Sequence, residues 1–364
     1  MRNVCAGLNT VGSGSYGRDD VHFLLRAMVI TTTGVQEKEH LIQTRQRHYS
    51  EMISQEHAPS QPHQNLYRRA LAHNAARMAT DVQALANALN ERCTGSTLAL
   101  VSFVRAGVPL GVLLRRALLE AGRDARHYGV SIVRDRGIDN VALEAVIKAH
   151  GAENIVFVDG WTGKGAISEQ LRESLAADSR FAPRPRLVVL ADPCGRAWLA
   201  ASAEDWLIPS GILGATVSGL VSRSIWAPEP GLHGCVMYPH LAGHDVTMSF
   251  IHSIETERAR ITRPASAQPW TLAQSWALQR RAQSVLDGIS TRFSVLNSNR
   301  IKPGIAEATR AVMRRVPEQV LVRRRDDPDV QLLMHLSRQA NIEVREVGDE
   351  LGPYRALTVI RSVR

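Results

Sequence analysis

Ile155-Val156-Phe157-Val158-Asp159-Gly160-Trp161-Thr162-Gly163-Lys164-Gly165 joins four consecutive apolar residues to an acid and a glycine-rich turn. A short run that is apolar on every residue predicts a strand covered on both faces. The turn predicts a phosphate cradle, because glycines let backbone N–H groups approach an anion and a following helix adds the partial positive charge of its N-terminus. Thr162 can donate a hydroxyl, Lys164 supplies a point charge, and Asp159 stands where a ribose hydroxyl or a hydrated Mg²⁺ would be held. The turn is too short for a Walker loop, and Gly165 replaces the hydroxyl residue that follows the lysine there. The bland alternative is a tight turn that binds nothing.

Working outward, strand and helix alternate. Apolar runs predict strands at 97–103, 128–133, 155–158 and 187–190, with helices at 109–119, 141–150 and 165–175 between them. This rhythm predicts an α/β fold, a parallel sheet with helices on both faces. A long helix is expected at 65–90 after a proline-marked loop at 56–64, and residues 192–250 read as a cap built on the sheet. A hinge at 258–269 and a helix at 271–286 lead to a second unit, about 297–364. Helices at 304–315 and 328–340 and strands at 319–323, 342–347 and 357–360 make that unit a small α-β-α sandwich.

The chain of 364 residues carries a formal net charge of +9 and is 44% apolar, enough for a real core and suited to anionic partners. No apolar run approaches the ~20 residues of a membrane span, and the first fifteen residues lack the apolar centre of a signal peptide. A cytoplasmic protein with no membrane partner is expected. The first strand supplies a second anion-suited turn, Val104-Arg105-Ala106-Gly107-Val108. Arg105 can neutralise a diphosphate and Ala106-Gly107 open the backbone to it, unless Arg105 serves a surface ion pair. In Arg134-Asp135-Arg136, Arg134 and Arg136 could fold over a pyrophosphate or belong to a surface Arg-Asp network.

These paired loops resemble those of type I phosphoribosyltransferases. More specifically, Gly14-Ser15-Tyr16, His48-Tyr49-Ser50, Val158 to Gly165, and His233-Gly234-Cys235 with Tyr238 resemble the phosphoribosyltransferase-like proteins of bacterial tellurite-resistance and stress clusters. That group is called StiP-type and also carries a cysteine-protease label. The resemblance covers nearly the whole chain. It implies a type I phosphoribosyltransferase-like sheet in residues 1–285 that binds phosphoribosyl pyrophosphate or a related sugar phosphate with Mg²⁺ held through Asp159. Asp159, Gly160, Thr162, Gly163, Lys164 and Gly165 would then take the phosphoribosyl group. Arg105, Ala106 and Gly107 would take the pyrophosphate, with Arg134 and Arg136 assisting catalysis. Other products of such a gene cluster are implied as partners. The sequence departs from the general pattern at Gly160, where a second acid is usual, and at Ala166, where a hydroxyl residue is usual, and these departures leave a non-catalytic RNA-binding regulatory protein on the same fold as the alternative.

Residues 300–325 contain eight arginines or lysines against Glu307 and Glu318. Arg310 and Arg314 are four apart and share a helix face, a basic stripe suited to phosphates. Lys302-Pro303-Gly304 with Glu307 and Arg310 resembles the helix start of Pelota-type RNA-binding domains. This implies RNA binding by Lys302, Gly304, Glu307, Arg310 and Arg314 within 297–364, the alternative being a basic helix that solvates its unit or docks on the enzyme. Four cysteines, Cys5, Cys93, Cys194 and Cys235, show no metal or disulfide spacing. Cys235, near His233, His240 and His244, is a candidate nucleophile of a cysteine hydrolase, or a buried core thiol.

Overall fold

Ile155–Val158 forms a strand at the centre of a six-stranded sheet, buried at all four residues. The computed structural model describes Val4, residues 8–226 and 229–362. Cys5 and most of the leading segment lie outside the described residues.

The sheet strands are β1 (His22–Phe23), β2 (Thr97–Phe103), β3 (Asp124–Val130), β4 (Ile155–Val158), β5 (Leu187–Ala191) and β6 (Leu199–Ser202). They lie in the order β1-β3-β2-β4-β5-β6 and every neighbouring pair is parallel. Alternate residues feed two cores. Leu98, Leu100, Val156, Val158, Val188 and Leu190 pack with α2 (Gln61–Arg92), α3 (Val108–Glu120) and α6 (Thr247–Arg258). Ala99, Val101, Phe103, Phe157 and Val189 pack with α4 (Asn140–His150) and α5 (Ala166–Leu175). The period of two along each strand puts one set on each face, and each fully buried large side chain contributes about 1.5–3 kcal/mol.

The expected parallel sheet is present, with differences at its margins. β1 and β6 are short edge strands with no long apolar run to announce them. β3 begins at Asp124, because Asp124 and Arg126 alternate with buried Ala125 and His127. Helix α2 begins at Gln61, inside the expected loop. Ser60 caps it and Pro62 sits in the first turn, where a missing N–H costs nothing. A further helix, α1 (Val35–Gln43), lies in the polar N-terminal stretch.

In the C-terminal unit, β7 (Ile301–Pro303), β8 (Pro317–Val322), β9 (Glu343–Glu346) and β10 (Ala356–Ile360) form a sheet ordered β7-β10-β8-β9. Helices α8 (Ile305–Arg314) and α9 (Gln331–Gln339) cover one face. The other face packs Ile301, Leu321, Leu357 and Val359 on Ala282, Val285, Leu286 and Ile289 of α7 (Leu272–Arg292). The sequence reads this helix as a connection, whereas it is a layer of the sandwich. β7 is missed because three residues containing a lysine and a proline carry no strand signal.

Candidate functional site

The order β1-β3-β2-β4-β5-β6 reverses direction between β2 and β4. In open α/β sheets the crevice beyond such a reversal binds ligands. The turns after β2 and β4 are the two anion-suited turns of the sequence, and they pack back to back. A Cβ at Gly107 would lie 2.2 Å from the Val158 carbonyl oxygen, and one at Gly160 would lie 3.0 Å from that of Ala106. Gly107 therefore serves close packing, and its N–H already donates to the Phe103 carbonyl at 3.1 Å. Gly160 is likewise shaped by this contact, which leaves little room for a second acid.

A cavity of about 340 Å³ opens beyond these turns. The sheet unit forms one wall, with Arg105, Ala106, Arg134, Asp159 and the Thr162–Ser168 loop, and the C-terminal unit forms the other, with Lys302, Glu307, Arg310, Arg314 and Arg315. Phosphate-loop and stripe residues expected in two separate sites thus share one cleft. The two units touch directly at Gly163, where a Cβ would lie 3.0 Å from Glu307 Cγ and 3.1 Å from the Pro303 carbonyl oxygen. Tyr354 Oη donates to the Gly163 carbonyl at 3.1 Å. Asp205 of the sheet unit accepts from Ile305 N–H at 3.0 Å and Arg355 N–H at 2.8 Å, so it caps α8 across the junction.

Within the loop, the backbone N–H groups of Gly163, Lys164, Gly165 and Ala166 have no acceptor among the described residues. Gly165 at φ 85° turns the chain into α5. Thr162 behaves differently from the expectation. Its N–H donates to Ala191 at 2.9 Å and its hydroxyl to Asp192 Oδ1 at 2.5 Å, both away from the cleft. Asp192 also accepts from Arg196 N–H, Ala197 N–H and Trp270 Nε1. Thr162 is an anchor for the loop.

The charges divide into satisfied and unsatisfied sets. Arg105 is buried and donates to both oxygens of Glu56, at 2.8 and 3.1 Å, and to the Val221 carbonyl at 2.8 Å. Burial alone would raise the Glu56 carboxyl, but Arg105 and Arg314 bring it down to about 2. Arg105 thus has the ion pair that was its alternative reading, although within the protein and not at the surface. Arg315 is held by Glu39. Arg134 lines the cleft, 3.6 Å from Asp135. Arg136 turns away, 2.9 Å from Glu51 and stacked 3.9 Å over Trp226. Arg223 also lines the cleft and gives its guanidinium to the Ser224, Tyr49 and Met52 carbonyls. Lys164, Lys302, Arg310 and Arg314 likewise make no ion pair among the described residues. Lys164 donates only to Ser298 and Asn299 oxygens, and Arg310 stacks 4.4 Å over Trp161 with a buried, unpaired Nε.

Burial and mutual repulsion push these cations down, Lys164 to about 8, Lys302 to about 7 and Arg314 to about 9. Burial pushes the Asp159 carboxyl up to about 7, against the pull of the Gly160 N–H and Arg310. Asp159 Oδ1 accepts that N–H at 2.8 Å, and Oδ2 has no partner among the described residues. The arrangement can hold a ligand with several negative charges, and it stores electrostatic repulsion that such a ligand relieves.

Cys235, the candidate nucleophile of the cysteine-hydrolase reading, is enclosed in this structure. It is fully buried on a two-residue strand paired with Arg26–Ala27, and burial pushes its thiol up to about 12. His233 Nδ1 is 2.7 Å from Ser131 Oγ, and among the described residues it makes no hydrogen bond to that sulfur. Cys93 and Cys194 are also buried, with thiols raised by burial. A thiolate nucleophile needs a lowered pKa and a base. Among the described residues no group of three or more His, Cys, Asp or Glu could hold a metal, and no helix is long and apolar enough to cross a membrane.

Residues 14–255 match the family model described as tellurite-like stress resistance cysteine protease StiP, and residues 280–362 match that of the PELOTA RNA binding domain. The chain is 49% identical to the cysteine protease StiP of Acinetobacter baylyi, over 96% of this chain and 94% of that one. Solved structures similar to it include the hypoxanthine phosphoribosyltransferase of Trypanosoma cruzi, at 18% identity over 38% of this chain and 77% of that one, TM-score 0.23. Another is HGPRT-ase from Leishmania tarentolae in complex with GMP, at 17% identity over 48% and 93%, TM-score 0.26. Scores this low carry no argument about the present chain, whose fold class rests on its own strand order.

Proposed function

This chain belongs to the StiP family of tellurite-like stress resistance proteins, and from that premise we propose that its cleft binds a sugar phosphate bearing a pyrophosphate, of the phosphoribosyl pyrophosphate class, as a phosphoribosyltransferase-like enzyme. The observation that carries this reading is the set of unbonded loop N–H groups at Gly163–Ala166, with Lys164 among them, facing the unpaired Lys302, Arg310 and Arg314 across one cleft. The sugar phosphate lies on the loop amides with Lys164 beside it. The pyrophosphate lies toward Lys302, Arg310 and Arg314, which take the role the sequence assigns to Arg105. Fixed donors of this kind stabilise charge as it develops on a leaving pyrophosphate.

Asp159 Oδ2 and Glu307 are the cleft carboxylates that suit Mg²⁺, which is commonly held by one or two carboxylates and by substrate phosphates. When bound, the ion would supply further charge neutralisation at the pyrophosphate. The match of residues 280–362 to an RNA binding domain supports RNA as a partner. Isothermal titration of phosphoribosyl pyrophosphate with Mg²⁺ into wild type, Asp159→Ala and Lys164→Ala tests the reading. Binding by wild type that weakens at least tenfold in both variants is expected. Equal binding by all three, or by none, would sink it.

A further inference from the structure

A second basin adjoins the cleft. Its volume is about 800 Å³, and Tyr49, Arg134 and Arg315 line both it and the cleft, at the border between the two. Its walls are the segment after α1, the turn at 134–136 and the segment leading into β7. Arg45, Arg47, Arg136 and Arg300 line it in addition to Arg134 and Arg315, against Glu39, Glu51 and Asp135. Arg136 is paired with Glu51 and Arg300 with Glu318, both at 2.9 Å. Arg45 and Arg47 are exposed and make no ion pair among the described residues. Arg47 donates only to the Glu51 carbonyl, at 3.0 Å.

Flat surfaces stand along this path. The Tyr49 ring lies 4.5 Å from that of His48, with the guanidinium of Arg134 at 5.4 Å and that of Arg223 at 5.5 Å. Arginine planes and aromatic rings are the platforms on which unpaired bases stack, and a cationic groove beside them tracks a phosphate backbone. The stripe of the C-terminal unit does not present itself to a duplex, because Lys302, Arg310 and Arg314 face into a cleft walled on its other side by the Thr162–Ser168 loop.

We propose that this outer basin is a binding site for a single RNA strand, which lays its phosphodiester backbone along Arg45, Arg47 and Arg300 and brings one end to the border with the cleft at Tyr49. The strand approaches the sugar phosphate cleft from outside. The binding site stands on its own residues. Only the meeting of the RNA end with a sugar phosphate rests on the reading of the cleft given above.

The test is fluorescence anisotropy with a labelled 12-nucleotide RNA of mixed sequence and the full chain, wild type against Arg45→Glu/Arg47→Glu. Wild type is expected to prefer the single strand to its duplex. The variant is expected to bind at least tenfold more weakly, with a log K against log salt slope shallower by about 1.4, two contacts at about 0.7 each. Arg280→Glu/Arg281→Glu on α7, which changes net charge equally outside the basin, is expected to bind like wild type. Equal affinity of the basin variant and wild type overturns the proposal, as do equal loss in the α7 variant and equal affinity for duplex. Titration of phosphoribosyl pyrophosphate into the same proteins separates the two readings. Failure of wild type to bind it sinks the cleft reading and leaves the RNA result to decide the basin.

Discussion

Lys302→Met should make the free protein more stable and its cleft weaker toward anions. Lys302 projects from β7 among Arg315, Arg134 and Lys164, with Glu307 opposing, and makes no ion pair among the described residues. Burial and those cations bring it from 10.5 to about 7, while the unfolded chain regains the ordinary value. At pH 8 the gap between unfolded pKa and solution is about 2.5 units, at most ~3.4 kcal/mol of lost stability. Water in the open cleft screens this to ~1–2 kcal/mol, and methionine keeps most of the aliphatic packing. At a melting entropy of ~2.1 cal/mol/K per residue, 364 residues give a shift of ~1.3 °C per kcal/mol. The variant should therefore melt ~1–3 °C higher at pH 8.

The sign follows from a depressed base. Its cost to folding is full below about pH 7 and is recovered as pH rises toward 10.5. The gain from Lys302→Met should thus be larger at pH 6 than at pH 9. Differential scanning calorimetry in low-salt, phosphate-free buffer measures it. Saturating magnesium pyrophosphate should raise wild-type Tm by ~3–4 °C at a hundredfold excess over Kd, and the variant by less. A variant that melts lower than wild type at every pH, or that pyrophosphate stabilises equally, refutes the reasoning.

Gly163→Ala should weaken anion binding and cost ~1–2 kcal/mol, because its methyl meets Glu307 and the Pro303 carbonyl across the junction; denaturant melts and titration check both. Asp205→Ala should cost ~2–4 kcal/mol through loss of the α8 cap and the Arg355 N–H partner, and limited proteolysis should then cut first between the units. For Asp159, a raised carboxyl contributes stability that is present below 3.8 and lost as pH rises through about 7, so Asp159→Asn should flatten the decline of Tm across that window. Native protein treated with iodoacetamide should remain unmodified at Cys93, Cys194 and Cys235 by mass spectrometry, and Cys235→Ser should leave anion binding unchanged.

The parts of the fold carried by long apolar runs are legible in the sequence. β2, β4 and β5 are buried on both faces and read as such. β1, β6 and β7 are not, because two to four residues at an edge need no distinctive pattern when a neighbour supplies their hydrogen bonds. At the cleft, the glycines and Lys164 stand out in the sequence because a strand that runs through small residues and a lysine into a helix is a distinctive pattern. The partners Glu56 and Asp192 do not. They reach Arg105 and Thr162 from 49 and 30 residues away, and only the folded chain shows that those two side chains are already engaged. The basic stripe was visible at helical spacing, but a period of 3.6 gives the face of a helix and not what that face meets.

The docking of α8 against the loop after β4 means that the boundary between the two units runs through the middle of the cleft. A fragment containing only the C-terminal unit would turn Lys302, Arg310, Arg314 and Arg315 to solvent and lose Asp205, which caps α8, and Glu39, which pairs with Arg315. Its affinity for nucleic acid would then describe a surface that the intact chain keeps folded inward. A fragment with only the sheet unit would keep the amide cradle and forfeit the opposing cations. Each half would misreport the ligand of the whole, so measurements on this protein belong to the undivided chain.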